Sequence, residues 1–279
     1  MANYTAADIK NLRERTGAGM LDVKKALDEA EGNIEKALEI IRVKGLKGVS
    51  KREGRATSEG LVTLKIVDVA AGQAATVIEL NSETDFVAKS ETFIALAAEV
   101  LDIVSDAEAT NLDEALAATY DGKTVKEIID EKAATLGEKI DLRRVVRFEG
   151  EKLTAYQHRT AKDLPPAIGV VVATDVAGAE VAKDVAQHIA ALAPQYLSRD
   201  AVPADIVENE RRIAEETSRN EGKPEAALPR IIEGRLNGFF KEVSLLDQPL
   251  AKDPKKTVQQ VFTDAKGSIT GFVRFRVGA

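Results

Sequence analysis

The chain changes from strand-like to helix-like sequence at Leu80-Asn81-Ser82-Glu83-Thr84-Asp85-Phe86-Val87-Ala88-Lys89. The run before this stretch, residues 76–80, is apolar and rich in β-branched side chains, as strands are. The run after it, residues 93–104, repeats apolar side chains at helical spacing. Ser82 or Thr84 can cap the new helix, because a hydroxyl there accepts a hydrogen bond from the first turn. The stretch therefore predicts a junction between a strand and a helix.

Phe86 is the residue of this stretch that capping does not explain. Asp85 stands three residues after Ser82, as the acidic member of a capping box would. A large aromatic among acids and hydroxyls either folds back into the core or projects as an anchor for a partner. Taken alone, the local pattern favours burial of Phe86, because most Phe side chains are buried.

The composition is that of a folded protein with little catalytic inventory. The 279 residues are 44% hydrophobic and 30% charged, which suits one large or two modest domains. There are no cysteines, which excludes disulfides, thiolate metal sites and cysteine nucleophiles. His158 is as consistent with a polar surface position as with chemistry, and His188 is expected on the flank of a helix. We therefore expect no catalytic residue, no metal site and no cofactor, so the protein is predicted not to be an enzyme.

Charge and hydropathy narrow the possible partners. The net charge of -7 repels phosphate backbones, so nucleic acid is not expected as a partner. The sequence has no run approaching the ~20 apolar residues that span a bilayer. Residues 1–4 also lack the features of a secretory signal. We expect a cytoplasmic protein with no membrane partner.

Residues 1–47 predict a module of three short helices. Thr5 and Asp8 form a capping box at the first helix, and Gly32-Asn33 ends the second helix and caps the third. Thr16-Gly17-Ala18-Gly19 is predicted to be the turn between the first two helices, because glycine allows the left-handed backbone. The basic, glycine-rich sequence that follows predicts a linker over residues 48–58.

The remaining sequence repeats one order of elements, namely two strands, a helix, a pair of helical pieces and a last strand. This order occurs over residues 59–149 and again over 150–279. It predicts an α+β fold whose duplicated core has two small antiparallel sheets covered by helices. In the first half, Thr124 and Glu127 form a capping box, and Gly137 ends the helix. The residues predicted to face the core from the first long helix of each half are Phe93, Ile94, Ala97, Leu101 and Val104, and Val181, Val185, Ile189 and Leu192.

The helical pair at about residues 200–241 predicts an inserted helical hairpin. Pro203 suits the first turn of one arm, whereas Pro229 and Gly234 are expected to break the other. The charged faces of the hairpin are either solvated surface or a self-association surface, and the pattern leaves both open.

Two segments resemble the signatures of the translation elongation factor Ts family. The first is Leu12-Arg13-Glu14-Arg15-Thr16-Gly17-Ala18-Gly19-Met20-Leu21-Asp22-Val23-Lys24-Lys25-Ala26-Leu27, and the second is residues 81–89, built on Thr-Asp-Phe-Val. The similarity continues at residues 143–145, 156–158, 233–235, 242–245, 248–249 and 271–275, so it covers essentially the whole chain. Some family members carry a further C-terminal helical module, and its contacts are not expected here because the sequence ends at Ala279.

The resemblance implies a guanine-nucleotide exchange factor for the GTPase elongation factor Tu. The family fold has an N-terminal three-helix module of the ubiquitin-associated type and a core of two related subdomains with an inserted hairpin. The residues implied to enter the GTPase near its magnesium site, here called the wedge, are Thr84, Asp85, Phe86 and Val87. Other contacts with elongation factor Tu would come from Arg13, Met20, Leu21, Lys24, Leu136, Gly137 and His158. Direct nucleotide binding by this chain is not expected.

The resemblance reverses the preference for Phe86, which is then expected to be exposed in the free protein. A homodimer, or a two-to-two complex through the hairpin, stays open. Two alternatives also remain, namely a general helical adaptor and an enzyme acting through His158.

Overall fold

The computed structural model describes residues 3–16, 18 and 20–279. Within these ranges, residues 14, 45–48, 50 and 51 are described by their backbone alone. The N-terminal helices are α1 (Ala6–Thr16), α2 (Met20–Glu29) and α3 (Ile34–Arg52). The predicted caps are confirmed: Asp8 Oδ2 accepts from Thr5 N at 2.7 Å, and Asn33 Oδ1 accepts from Lys36 N at 3.0 Å. The predicted turn residues Gly17 and Gly19 lie outside the described residues.

The first half of the core places its helices on one face of a sheet. The elements are β1 (Glu59–Val69), β2 (Gly72–Ser82), α4 (Asp85–Ala88), α5 (Glu91–Asp106), α6 (Leu112–Ala117), β3 (Thr119–Tyr120), β4 (Lys123–Thr124), α7 (Val125–Leu136) and β5 (Asp141–Gly150). The first sheet is antiparallel in the order β1-β2-β5. Thr124 and Glu127 cap α7 as predicted, and Gly137 ends it with a positive φ of 79°.

The second half has the same strand order, with its second strand in the centre. The elements are β6 (Lys152–His158), β7 (Ile168–Thr174), α8 (Ala179–Leu192), α9 (Ala204–Asn220), α10 (Leu228–Val243), β8 (Pro249–Leu250), β9 (Asp253–Thr257), α11 (Val258–Asp264) and β10 (Ile269–Arg276). The second sheet is antiparallel in the order β10-β7-β6. The α+β prediction is confirmed, whereas the domain boundaries, the ubiquitin-associated-like module and the duplication stay predictions.

The two halves meet through the faces of these sheets that are turned away from their helices. In β2, Ile78 packs in the cluster with α5 and α7, whereas Val77 packs with the second sheet. In β7, Val170 likewise packs against α8, whereas Val171 packs against the first sheet. This alternation, which follows from the two-residue period of a strand, produces layers of helix, sheet, sheet and helix.

Helix α3 extends beyond its predicted end, so residues 48–52 of the predicted linker are helical. Val49 packs on the core cluster of the first half, and α3 lies against α7. Tertiary packing of this kind outweighs the low helix propensity of the glycines at positions 45 and 48.

Two residues predicted to face the core are exposed. Ile94 is 41% exposed because it lies at the edge of the buried face of α5. Leu192 is 50% exposed because it is the last residue of α8, where the chain turns at Ala193 with a φ of 49°. The other predicted inward positions on these helices are buried or partly buried against the core.

The predicted hairpin is formed by α9 and α10. Ala214 of α9 packs against an apolar stripe on α10, formed by Leu228, Ile232 and Leu236. Pro229 lies in the first turn of α10, where its missing N–H costs nothing, and Gly234 lies within the continuous helix. The prediction that these residues break the arm is therefore wrong.

In the described part of the chain, no helix is both long and apolar enough to cross a membrane.

Candidate functional site

The candidate site is centred on the turn from β2 into α4. Thr84 caps α4, because its Oγ1 accepts a hydrogen bond from Val87 N at 3.4 Å. Ser82 still belongs to β2 and donates to the carbonyl of Thr84 at 3.0 Å. The predicted capping box of Ser82 and Asp85 is therefore wrong. Ser90 caps the next helix separately, so the predicted single helix is divided into α4 and α5.

Phe86 projects from the single turn of α4. Its side chain is 73% exposed, whereas Ala88 of the same turn is buried and Val87 packs against the core. Burial of Phe86, which the local pattern favoured, is therefore wrong. The turn uses one face to attach to the core and presents an aromatic ring on the other.

Lys89 contacts the exposed ring. Its Nζ lies 4.6 Å from the centroid of Phe86, an arrangement worth roughly 0.5–1 kcal/mol at an exposed site. The same ammonium group lies 3.4 Å from Asp85 Oδ2 and 3.9 Å from Asp163 Oδ2. Asp163 belongs to the loop between β6 and β7, so Lys89 links α4 to the second half of the core.

The segment before α4 and the loop after α7 are joined by two carboxylates, each of which accepts hydrogen bonds from the other segment. Glu138 Oε2 accepts from Glu83 N at 3.1 Å and from Thr84 N at 3.0 Å, and its Oε1 accepts from Thr84 Oγ1 at 2.6 Å. In return, Glu83 Oε1 accepts from Lys139 N at 2.7 Å. The predicted residues Leu136 and Gly137 immediately precede this loop, so the structure brings them beside the wedge.

The segment after α3 reinforces this junction. Arg55 donates to both carboxylate oxygens of Glu83, at 3.2 and 3.1 Å. Lys139 Nζ donates to the carbonyl oxygens of Glu53, at 2.9 Å, and of Arg55, at 3.4 Å. Since Glu83 has a side chain only 18% exposed, these contacts are partly shielded from solvent.

The N-terminal helices present a second apolar feature. Met20 and Leu21, at the start of α2, are 60% and 72% exposed. Arg13 of α1 and Lys24 of α2 are exposed as well. The surface that these residues would offer is apolar with basic groups on adjacent helices.

An ion cluster joins the N-terminal helices to α7. Arg42 of α3 pairs with Glu131 of α7, and Lys123 donates to the same carboxylate at 2.6 Å. Burial of Glu131 opposes its ionisation, but the bond from Lys123 and the charge of Arg42 outweigh this effect. The pKa of Glu131 is therefore held below its usual value.

The histidines occupy different environments. His158 is exposed at the end of β6, with its Nδ1 3.0 Å from the hydroxyl of Tyr156. His188 was expected on a helix flank, but it is 1% exposed. Its Nδ1 accepts from Ala251 N at 3.0 Å, so its Nε2–H donates to Gln248 Oε1 at 2.8 Å. Burial lowers the pKa of His188, and its role is to join α8 to the β8–β9 turn.

Sequence reasoning missed Glu138, Lys89 and Asp163 as members of the site. Lys89 lies within the stretch quoted at the start, and Glu138 directly follows the predicted residue Gly137. The contact of Glu138 with Thr84 could not be predicted locally, because the two residues are 54 positions apart.

In the described ranges, no group of three or more His, Asp or Glu residues is arranged to hold a metal ion.

Comparison with known proteins gives a consistent result. The family model described as "Elongation factor TS" matches residues 83–279. Elongation factor Ts of Beutenbergia cavernae is 64% identical over 281 residues, and the alignment covers 100% of both chains. The proteins of the same name from Micrococcus luteus and Streptomyces coelicolor are 58% and 57% identical, also over 100% of both chains.

Proposed function

The chain belongs to the elongation factor Ts family of translation elongation factors, and we propose that it is the guanine-nucleotide exchange factor for the GTPase elongation factor Tu. It binds the GDP form of the GTPase in the cytoplasm, disturbs its magnesium and phosphate site, and promotes GDP release so that GTP can rebind. It performs no bond chemistry and binds no nucleotide itself. The observation that carries the proposal is the exposed ring of Phe86 on a firmly attached turn.

The mechanism requires only differential binding. An exchange factor binds the nucleotide-free GTPase more tightly than the GDP-bound form, so it must weaken nucleotide binding by the same factor. The magnesium ion neutralises the phosphates of GDP. An aromatic ring that enters beside the ion and displaces a helix removes this neutralisation, and the nucleotide then leaves. GTP binding reverses these steps.

The rigidity of the wedge supports this role. A flexible ring would lose conformational freedom when it entered the partner, and that loss would reduce the energy available to displace a helix. Here Thr84 caps the turn, Val87 and Ala88 hold it against the core, and Lys89 lies over the ring. Phe86 is therefore largely pre-organised before the partner arrives.

Binding is spread over further contacts in this proposal. Met20 and Leu21, flanked by Arg13 and Lys24, contact the nucleotide-binding domain of the GTPase. Leu136 and Gly137 contact it beside the wedge, and His158 reaches another domain of the partner. Neither nucleic acid nor a membrane takes part. Loss of one contact then weakens the complex only in part.

The hairpin of α9 and α10 is the proposed route to a homodimer or a two-to-two complex. Ile206 and Ile213 are 37% and 41% exposed on α9, so some apolar surface remains outside the stripe between the arms. Light scattering of the free protein and of the complex tests this part separately. A mass of one chain for the free protein, and of one chain of each partner for the complex, would exclude self-association.

The test of the exchange function is release of labelled GDP from elongation factor Tu after rapid mixing. Phe86→Ala is expected to slow the maximal rate roughly tenfold or more, as loss of a central aromatic anchor does, while binding weakens less. Tyr120→Ala is the matched control, because Tyr120 is 62% exposed at the end of β3 and has no assigned role. An unchanged maximal rate in Phe86→Ala would overturn the proposal.

A further inference from the structure

We infer that Glu138 is a positioning residue for the wedge, acting on Phe86 through the cap of α4. The inference rests on the proposed exchange function, because α4 must meet the GTPase for its orientation to matter. Glu138 follows the C-cap of α7 and is more than fifty positions from the wedge in sequence. Its effect would therefore come from the tertiary structure.

The carboxylate of Glu138 satisfies the polar groups that precede α4. Its Oε2 accepts from the backbone N–H groups of Glu83 and Thr84, and its Oε1 accepts from the hydroxyl of Thr84. That hydroxyl, with its proton directed to Glu138, presents a lone pair to Val87 N. Glu138 thereby fixes both the backbone and the side chain of the capping residue.

A helix as short as α4 depends strongly on such support. It has four residues, and a single turn has too few internal hydrogen bonds to be stable in isolation. The neighbouring helix α5 has its own cap at Ser90, and β2 is paired on both sides. Loss of Glu138 is therefore expected to loosen α4 while β2 and α5 stay in place.

The reciprocal bond makes the junction stiff. Glu83 accepts from Lys139 N, so each loop donates backbone N–H groups to a carboxylate of the other. Hydrogen bonds to ionised carboxylates are stronger than those between neutral groups, and these are partly shielded. The orientation of Phe86 is thus coupled to the loop that also carries Leu136 and Gly137.

The chain contains a matched control for this arrangement. Glu114 accepts from Thr110 N and Thr110 Oγ1, both at 2.8 Å, at the start of α6. The pairing of a carboxylate with the N–H and hydroxyl of one Thr is the same, but α6 carries no proposed contact with the GTPase. Glu114→Ala removes two such bonds elsewhere in the same half of the core, whereas Glu138→Ala removes these two kinds and a third bond, from Glu83 N.

The first experiment uses no partner. Hydrogen exchange of the full chain is followed at the amides of residues 87–90 in the wild type, Glu138→Ala, Glu138→Gln and Glu114→Ala. Glu138→Ala is expected to speed exchange at these amides about tenfold, as loss of a helix cap does. Glu138→Gln is expected to do so less, because its amide keeps an acceptor oxygen. Unchanged exchange in Glu138→Ala would overturn the inference.

The second experiment measures release of labelled GDP from elongation factor Tu. Glu138→Ala is expected to lower the maximal rate about tenfold with a smaller change in half-saturating concentration, and Glu138→Gln to restore most of it. Glu114→Ala is expected to keep the wild-type rate, and equal slowing by both alanine variants would overturn the inference. If the wild-type chain does not speed GDP release from elongation factor Tu, the proposed function fails. A hydrogen-exchange effect confined to α4 would still support the positioning role.

Discussion

Glu79 and Arg144 form a partly buried ion pair between β2 and β5 that also holds the C-terminal end of β10. Glu79 is 0% exposed; its Oε2 accepts from Arg144 Nε at 2.5 Å and its Oε1 from Gly278 N at 3.1 Å. Arg144 also donates to the carbonyl of Arg276 at 2.7 Å, and its guanidinium lies 4.5 Å from the ring centroid of Phe275. One carboxylate thus joins the first sheet to the last strand of the second.

Glu79→Gln is expected to destabilise the fold by about 3 kcal/mol, because it leaves the guanidinium of Arg144 without its counter-charge in a partly buried position. Urea unfolding measures the change. Glu216→Gln is the control, since it breaks an exposed pair with Arg212 on α9 and is expected to change stability by no more than ~1 kcal/mol. Equal effects in the two variants would contradict the structural role of the Glu79–Arg144 pair.

Gly169 is expected to tolerate no side chain where the sheets meet. A Cβ at this position would lie 2.5 Å from Val62 Cγ1, so Gly169→Ala should cost ~1–3 kcal/mol. The second substitution Val62→Ala should recover part of that loss. Gly234→Ala is the opposite control, because a Cβ there meets nothing within 4 Å inside a helix and should stabilise by ~0.5–1 kcal/mol. A neutral Gly169→Ala would show that the sheets can separate.

His188 is expected to make stability depend on pH below neutrality. Burial lowers its pKa in the folded chain, so the unfolded chain binds a proton first as the pH falls. The stabilisation from neutral His188 is full above its unfolded pKa of about 6.5 and is lost as the pH falls from there towards the lower folded pKa. Urea midpoints between pH 7.5 and about pH 5 should fall less steeply in His188→Gln than in the wild type. Equal slopes in His188→Gln and the wild type would contradict this role.

Lys89 is expected to affect exchange through the ring of Phe86. Lys89→Met keeps an unbranched side chain but removes the charge, so the ring loses its cation contact and Asp85 and Asp163 lose their shared ammonium group. The maximal rate of GDP release should fall about threefold, consistent with a contact worth under 1 kcal/mol. Lys89→Arg should restore it, because a guanidinium can occupy the same place. A rate for Lys89→Met equal to that of the wild type would contradict this role.

Met20 and Leu21 are expected to contribute binding rather than rate. Both are exposed, so the double variant Met20→Ala/Leu21→Ala should change stability by no more than ~0.5 kcal/mol. The concentration of exchange factor at half-maximal GDP release should rise, while the maximal rate stays near that of the wild type. Val176→Ala, which shortens a 63% exposed side chain after β7, is the control. A lowered maximal rate with unchanged half-saturation would contradict this assignment.

Local signals in the sequence were sufficient where one residue controls one hydrogen bond or one backbone angle. The cap of α7 at Thr124, its end at Gly137 and the start of α3 at Asn33 all follow from neighbouring residues. The strands were predictable for a related reason, since the apolar and β-branched runs have the side chains that buried sheets require. These signals sufficed for the α+β class and for the order of the long helices and of the strands in the two main sheets, but they did not predict the short pairs β3–β4 and β8–β9 or helix α11.

The same local rules failed where a distant contact outweighed them. Helix α3 continues to Arg52 because α7 lies beside it, and His188 is buried because the β8–β9 turn closes over α8. Pro229 begins a helix rather than ending one, because the preceding turn already places it in the first turn of α10. The outcomes for α3 and His188 depend on a segment that is far away in the chain, whereas the outcome for Pro229 depends on its position in the first turn of α10.

The amino-acid order accounts for the junction at residues 80–89, its capping hydroxyl and the aromatic that follows, because these depend on residues within one or two turns. It does not account for the outward direction of Phe86. That direction arises from the packing of Val87 and Ala88 on the core, from the carboxylate of Glu138 on Thr84, and from Lys89 over the ring. The burial of Val87 and Ala88 and the hydrogen bonds between Glu138 and Thr84 form only when α7 and the sheet are assembled. Both join groups that are separated by tens of residues in the chain.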